Sequence, residues 1–283
     1  MEISVIITAY NTAEYIEKAI VSVLRQTHRD IEVIVVDDCS TDSTPAILDR
    51  FCKENSRVKV ITHDTNKGAG YARRTGIAAA RGEYIITVDS DDWLDERFLE
   101  SLAERAEATG ADIVSGGITV DKPDGYWEKT CYGTPIHEGD EKLVKFWGEK
   151  IVFMNNKIIR RSLHEKVPYC TRRFIEDTPV IIPMLWYANK VAYAEDTGYH
   201  YRMQGASLTH QASVFQYALY RALCALDLIA FFQANDKVFL EKMPILKSLQ
   251  QQLTIMKSCK PSDEELHRHL DAWMEFSKKI LLQ

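Results

Sequence analysis

Over the first third of the chain, short unbroken apolar runs alternate with polar stretches and amphipathic ones. Residues 3–8 (ISVIIT), 31–36 (IEVIVV), 58–62 and 84–88 are such runs, rich in β-branched side chains. Runs of this kind predict strands buried on both faces. Asn11-Thr12-Ala13-Glu14 predicts a helix start with a capping box. Ile16, Ala19, Ile20, Val23 and Leu24 then fall on one helical face. Thr44-Pro45 predicts a second helix, since proline suits the first helical position. Residues 71–80 predict a third, closed by Arg81-Gly82. Strands alternating with helices predict a parallel sheet covered on both faces. Ligands bind such sheets at the carboxyl ends of the strands, and each polar stretch here follows a strand.

From Asp112 the pattern loosens. Residues 112–120 predict another strand, 122–139 a loop or hairpin, and 143–159 a mixture of helix and strand. Residues 178–188 predict a helix despite Pro179 and Pro183, and 191–193 a short strand. Helices are predicted over 215–232, 238–257 and 262–282, the last opening with Pro261 and the capping box Ser262-Asp263-Glu264-Glu265. The expected division is a main domain over 1–210 and a helical extension over 211–283.

Composition narrows the classes. The 283 residues are 46% hydrophobic, enough for a sizeable core, and the net charge of −6 argues against nucleic acid, whose phosphates call for a basic face. The six cysteines form no CxxC pair, which predicts free thiols in a reducing, cytoplasmic compartment. MEISVIITAY lacks the charged start of a signal peptide. No uninterrupted apolar run approaches the length of a membrane span.

The candidate chemistry lies in the polar loops. VDSDDWLD, residues 88–95, carries Asp89, Asp91, Asp92 and Asp95 at the end of the fourth strand. An EF-hand is excluded, because Trp93 and Leu94 stand where it needs an oxygen ligand and a glycine. Asp89 and Asp91 share a face on extended backbone. Their hard oxygens suit Mg²⁺ or Mn²⁺, which usually takes one or two carboxylates plus substrate phosphates. The structural alternative is a helix N-terminus, with Asp92 or a neighbour capping WLDERFLESL.

Asp37-Asp38 ends the second strand, as a site or as a polar loop before a helix capped by Asp42 or Ser43. Gly68-Ala69-Gly70 matches part of a dinucleotide fingerprint, but Arg73 occupies its last glycine position and the loop is not the first βα turn. Arg73 or Arg74 offers a contact to a base or phosphate, or else a solvated helix face. Glu176-Asp177, beside Phe174 and Ile175, offers a general base or an N-cap ahead of Thr178-Pro179. His200 and Arg202, with the nearby hydroxyls of Tyr199, Tyr201 and Ser207, offer contacts to a phosphate or a metal, although a lone histidine is more often structural.

SVIITAYN, SVLRQT, EVIVVDDCSTDST, NKGAGYARRTG, RGEYIITVDSDDWL and FIEDTPV, in this order and spacing, resemble the family-2 glycosyltransferases. The resemblance covers about the first 210 residues. It implies the GT-A fold, a Rossmann-like, mostly parallel α/β sheet with helices on both faces, here with a nucleotide-binding half over 1–110, an acceptor half over 111–210 and a C-terminal helical extension. It implies inverting transfer of a sugar from a nucleotide-diphospho sugar, expected to be UDP-linked, to an acceptor hydroxyl in cell-surface polysaccharide or glycolipid synthesis.

Carried over by position, Thr8, Ala9 and Tyr10 would line the nucleotide pocket. Asp38 would bond the base, and Arg73 would lie near the base or phosphates. Asp89, with Ser90, would face the ribose or a metal-bound water. Asp91 would ligate Mn²⁺ or Mg²⁺, and Asp177, with Glu176 beside it, would be the general base. Two positions depart from the family pattern: Ala9 replaces a common proline, and Arg74 replaces a common asparagine, leaving open which arginine meets the nucleotide.

The acceptor, carbohydrate or lipid-linked, is not legible. Trp273, Phe276, Lys278 and Lys279 raise a peripheral contact with the inner face of the membrane, or a homodimer, against simple helix packing. The rival functions are a nicotinamide-dependent oxidoreductase resting on Gly68-Ala69-Gly70 and a non-catalytic nucleotide-sugar-binding protein.

Overall fold

The structure is a computed structural model. It describes the chain apart from residues 123–126, 132, 144–152, 171, 173–174, 176, 197, 204–212, 237–243, 260, 263–264, 266–268 and 282–283, and apart from the side chains of 127, 128, 270, 273, 280 and 281. Two compact units are formed, one by residues 1–173 and 184–204, the other by 174–183 and 205–283.

The four apolar runs are the central strands of the first unit. β1 (Ile3–Ala9), β2 (Ile31–Asp37), β3 (Val58–Thr62) and β4 (Tyr84–Asp89) lie parallel in the order β3-β2-β1-β4. Ile3, Val5 and Ile7 pack with Ile16, Ile20, Leu99 and Leu102 on one face, while Ile6 packs with Ala72 and Ile77 on the other. The first face is covered by α1 (Ile16–Leu24), α2 (Thr44–Glu54) and α4 (Phe98–Thr109), the second by α3 (Ala69–Ala79). Burial on both faces is why these runs show no polar alternation. Gly76 lets α3 lie close, because a Cβ there would stand 2.4 Å from Ile6 Cγ2.

Beyond β4 the sheet is mixed. β10 (Lys157–Arg160), which leads into the short helix α5 (Arg161–His164), runs antiparallel to β4, followed by β6 (Ile113–Ser115), β11 (Lys190–Tyr193) and β9 (Ile136–Glu138). A second sheet has the order β5-β12-β7-β8, with β5 Trp93–Leu94, β12 Tyr199–Arg202, β7 Ile118–Asp121 and β8 Trp127–Thr130. The strand expected over 112–120 is therefore two strands in two sheets. The break falls at Gly116-Gly117, whose N–H groups donate to the carbonyls of Asn156 and Asp196. A Cβ at Gly116 would meet the Phe98 ring at 2.5 Å.

Two predicted helix starts are displaced. α1 begins at Ile16, not at Asn11. Asn11 takes a left-handed φ of 51°, and its side-chain oxygen accepts the Thr41 N–H at 2.8 Å, so it ties two loops together instead of capping. Likewise Asp92 does not open α4, which starts at Phe98 after the short strand β5.

In the second unit, α7 (Val214–Asn235) packs against α8 (Ile245–Ser258) and α9 (Leu270–Leu281). The Ser213 hydroxyl caps α7 by accepting the Gln216 N–H at 3.0 Å. α7 is long and apolar enough to cross a membrane by length and composition. It also carries Arg221 and Asp227, and twelve of its residues, including Leu219, Leu223 and Phe232, are buried. A core helix accounts for that pattern. Ser262 accepts the Glu265 N–H at 3.2 Å, half of the predicted capping box. Phe276 is buried and Lys279 pairs with Asp227 and Glu275, while Lys278 is exposed. The Trp273 side chain lies outside the description.

Candidate active site

The carboxyl ends of β1, β2, β3 and β4 bring the predicted nucleotide residues to one edge of the sheet. Thr8 lies opposite Asp89, and Ala9 opposite Asp37, in the strand register. The Ala9 carbonyl accepts the Asp38 N–H at 2.8 Å. Tyr10 follows, with about half of its surface open at 47%.

Asp38 is buried, and its carboxylate organises the loop after β3. It accepts His63 Nδ1 at 2.7 Å, the Lys67 N–H at 2.9 Å and the Gly68 N–H at 2.6 Å. His63 Nε2 contacts the Thr75 hydroxyl at 2.9 Å. Gly68 has φ +91°, a value that a side chain would disfavour, and α3 begins immediately after it. A dinucleotide fingerprint needs these glycine-loop N–H groups for phosphate. Here two of them are spent on Asp38. Arg73, on α3, is buried and reaches Asp89, with its Nη2 3.9 Å from Oδ1.

The acidic turn separates its carboxylates by partner. Asp89 faces Arg73 on one oxygen and receives the Asn155 amide at 3.4 Å on the other. Asp92 is buried; it accepts the Tyr199 hydroxyl at 2.6 Å and the Arg202 N–H at 2.9 Å. Burial raises the Asp92 pKa well above the usual carboxylate range, helped by Asp89 and Asp91. Burial likewise raises that of Tyr199. Ser90 is buried between the acids.

Asp91 differs from its neighbours. Its carboxylate makes no ion pair or side-chain hydrogen bond among the described residues. Burial raises its pKa, while a hydrogen bond from its own backbone N–H and the Arg202 cation pull the other way. Arg202 is fixed beside it, donating from Nε to the Asp91 carbonyl at 3.0 Å. The Trp93 indole carries Lys18 Nζ 3.0 Å from its centroid and the Arg202 guanidinium at 4.8 Å. Burial, then Arg202, lowers the Lys18 pKa. His200 stacks on the same indole at 4.8 Å and turns Nε2 to Asp95 at 2.8 Å.

Among the described residues, no three His, Cys, Asp or Glu side chains converge as a metal cage. A magnesium-type site needs fewer protein ligands, because substrate phosphates complete it, and Asp91 fits that demand.

Asp177 stands in the second unit. It directly precedes α6 (Thr178–Tyr187), and its carbonyl accepts the N–H groups of Val180 and Ile181, both at 2.9 Å. Ile175 has a φ of +52°, which is costly for a β-branched residue, so backbone strain lies two positions before the acid. Glu176 and Ser207 lie outside the described residues.

His63 and Asn155 were not among the sequence candidates; Tyr199 was, for a phosphate or metal contact, but its hydroxyl is given to Asp92. Asn155 carried no local signal.

A nucleotide-type loop after β3 and an acidic turn after β4, on this sheet, define a sugar-nucleotide transferase scaffold. The chain belongs to glycosyl transferase family 2, whose model matches residues 4–168. It is 32% identical over 217 residues to the glycosyltransferase GlyG of Streptococcus pneumoniae, covering 73% of this chain and 72% of that protein. It is 43% identical over 179 residues to the succinoglycan biosynthesis protein ExoO of Rhizobium meliloti, covering 62% of this chain and 49% of that protein. Among solved structures, S. aureus TarS 1–349 in complex with UDP-GlcNAc matches with a TM-score of 0.74 at 23% identity, over 99% of this chain and 81% of that one. That likeness establishes the GT-A fold. The chain is a nucleotide-sugar-dependent glycosyltransferase, and the dinucleotide reading finds no support.

Proposed function

We propose that the chain transfers a hexose from a UDP-sugar to an acceptor hydroxyl in cell-surface polysaccharide or glycolipid synthesis, with inversion. The observation that carries this reading is the division of labour in the acidic turn. Asp89 and Asp92 are occupied by the chain, and Asp91 is left for an external cation. Asp91 would hold Mn²⁺ or Mg²⁺, which supplies charge neutralisation to the departing nucleoside diphosphate. Thr8, Ala9 and Tyr10 line the base side, and Arg73 holds Asp89 toward the ribose. Asp38 serves the base chiefly by shaping the loop that encloses it, since both its oxygens already accept hydrogen bonds.

Arg202, anchored to Asp91 and Asp92, supplies positive charge on the phosphate side. His200 is assigned to holding Trp93 and Asp95 rather than to the metal. Asp177, with Glu176, takes the proton from the acceptor hydroxyl as that oxygen attacks the anomeric carbon. The relatives' names support polysaccharide synthesis as the setting: ExoO is a succinoglycan biosynthesis protein. Six free thiols suit a reducing compartment, so we place the reaction in the cytoplasm. Residues 1–210 would hold the catalytic machinery, and 211–283 would support it or meet the acceptor.

A donor screen by UDP or GDP release with Mn²⁺, followed by an acceptor screen with the best donor, tests the reading. Asp177→Asn is expected to reduce transfer by at least about 100-fold while leaving UDP affinity intact. Normal turnover by that variant would remove Asp177 as the base.

A further inference from the structure

The turn just before β10 has features that the transfer chemistry described above does not use. β10 runs antiparallel to β4, with Ile159 opposite Ile85, so residues preceding Lys157 reach the carboxyl end of β4. Lys157 is fully buried. Its ammonium donates to the Phe153 carbonyl at 2.7 Å, the Asn155 carbonyl at 2.9 Å and Asn156 Oδ1 at 2.6 Å. A buried cation is costly unless its donors are met, and here the turn folds around it to meet them. Asn156 takes a left-handed φ of +56° and donates from its amide to the Gly116 carbonyl at 2.6 Å. The turn is thus pinned from inside and from the side.

That brace presents two side chains. The Asn155 amide nitrogen faces Asp89 Oδ2 at 3.4 Å. A carboxylate only accepts, so this contact fixes which end of the amide points to Asp89. The other end, Oδ1, is buried and accepts no hydrogen bond among the described residues. An acceptor left in that state is costly, and native proteins tolerate it chiefly where something else supplies the donor. Two residues earlier, Phe153 leaves 47% of its surface open although its backbone is held by Lys157. A rigidly mounted exposed aromatic beside an oriented amide suits a ligand with apolar C–H faces and hydroxyl donors.

We propose that the Phe153–Asn156 turn is the element that recognises the donor's sugar ring, Asn155 taking a ring hydroxyl and Phe153 an apolar face. This rests on the sugar-nucleotide reading of the same site. Asn155 is a contact residue in this assignment, and Lys157 is a positioning residue.

The test starts with the unaltered protein and Mn²⁺, choosing from UDP-glucose, UDP-galactose, UDP-GlcNAc and UDP-GalNAc the donor that gives the fastest UDP release. Asn155→Ala and Phe153→Ala are then compared for KM with that donor and for inhibition by UDP alone. Each variant is expected to raise the donor KM by about tenfold, the scale of one lost hydrogen bond or ring contact, with the UDP inhibition constant unchanged. Equal weakening of UDP would mean that the turn grips the nucleotide, and would overturn the assignment. So would an unchanged donor KM in both variants. If the unaltered protein neither binds UDP nor releases it from any donor, the functional reading itself fails, a result separable from the other two.

Discussion

The loop after β2 and the turn after β4 both end parallel strands in aspartates, yet the two use them in opposite ways. Asp38 spends its carboxylate on its own chain, through His63 and the N–H groups of Lys67 and Gly68. Asp91 is half-buried, and beyond its own backbone N–H its carboxylate makes no ion pair or side-chain hydrogen bond among the described residues. Residue type and strand-end position are the same in both, so neither distinguishes a structural acid from one kept for a ligand. The inventory of partners does.

The comparison is sharpened most by Asp91→Asn. Metal-dependent turnover is expected to fall by more than about 100-fold, several kcal/mol in the barrier. The melting temperature should hold, because no internal partner loses its acceptor. A fall in stability with preserved turnover would reverse the roles assigned to the two loops.

Asp38→Ala should do the converse first. It strands a buried imidazole and two backbone N–H groups, which predicts a loss of about 2–4 kcal/mol in urea unfolding. Nucleotide affinity would follow the loop. Full stability with weakened UDP binding alone would make Asp38 a direct base contact and erase its contrast with Asp91.

How much of this could be read from the sequence follows from the range of each interaction. The four central strands were legible because burial on both faces leaves an unbroken apolar run. The acidic turn was legible as a site because it follows such a strand. Asp92 was misread as a helix start because its partners, Tyr199 and Arg202, lie 107 and 110 residues away. Asn11 resembled a cap for the same reason: its partner Thr41 is 30 residues on. The split of residues 112–120 into two sheets depended on Phe98 crowding Gly116, a contact between elements that no local pattern encodes.

A reference outside both loops comes from His164. Burial pushes its pKa down to about 3, from an ordinary value of 6.5. The folded protein therefore refuses a proton that the unfolded chain accepts. Stability is full above about pH 6.5 and declines as pH falls toward 3, by about 2 kcal/mol at pH 5. Urea unfolding at pH 7.5 and pH 5 measures this, and His164→Asn should flatten the difference. A pH dependence untouched by that variant would have to come from other groups, such as the Glu32 and Asp42 carboxylates, where burial is outweighed by hydrogen bonds that hold them below their ordinary range.

The smallest effect is expected from Asp95→Ala, and it bears most directly on whether the turn acts as separate residues. Asp95 is 64% exposed, and its carboxylate meets only His200 among the described residues, at 2.8 Å. Asp95 is solvated but His200 is buried, so losing this partner costs about 1 kcal/mol, between an exposed pair and a stranded buried group. His200 would keep its stack on Trp93, whose rings lie 9° from parallel. Trp93 would in turn keep Lys18 and Arg202 over its face. Stability should therefore drop by about 1 kcal/mol, with donor KM unchanged. If Asp95→Ala instead matched Asp91→Asn in lost turnover, the carboxylates of the turn would be acting as one charge. Partner inventory would then no longer explain why Asp91 differs from its neighbours.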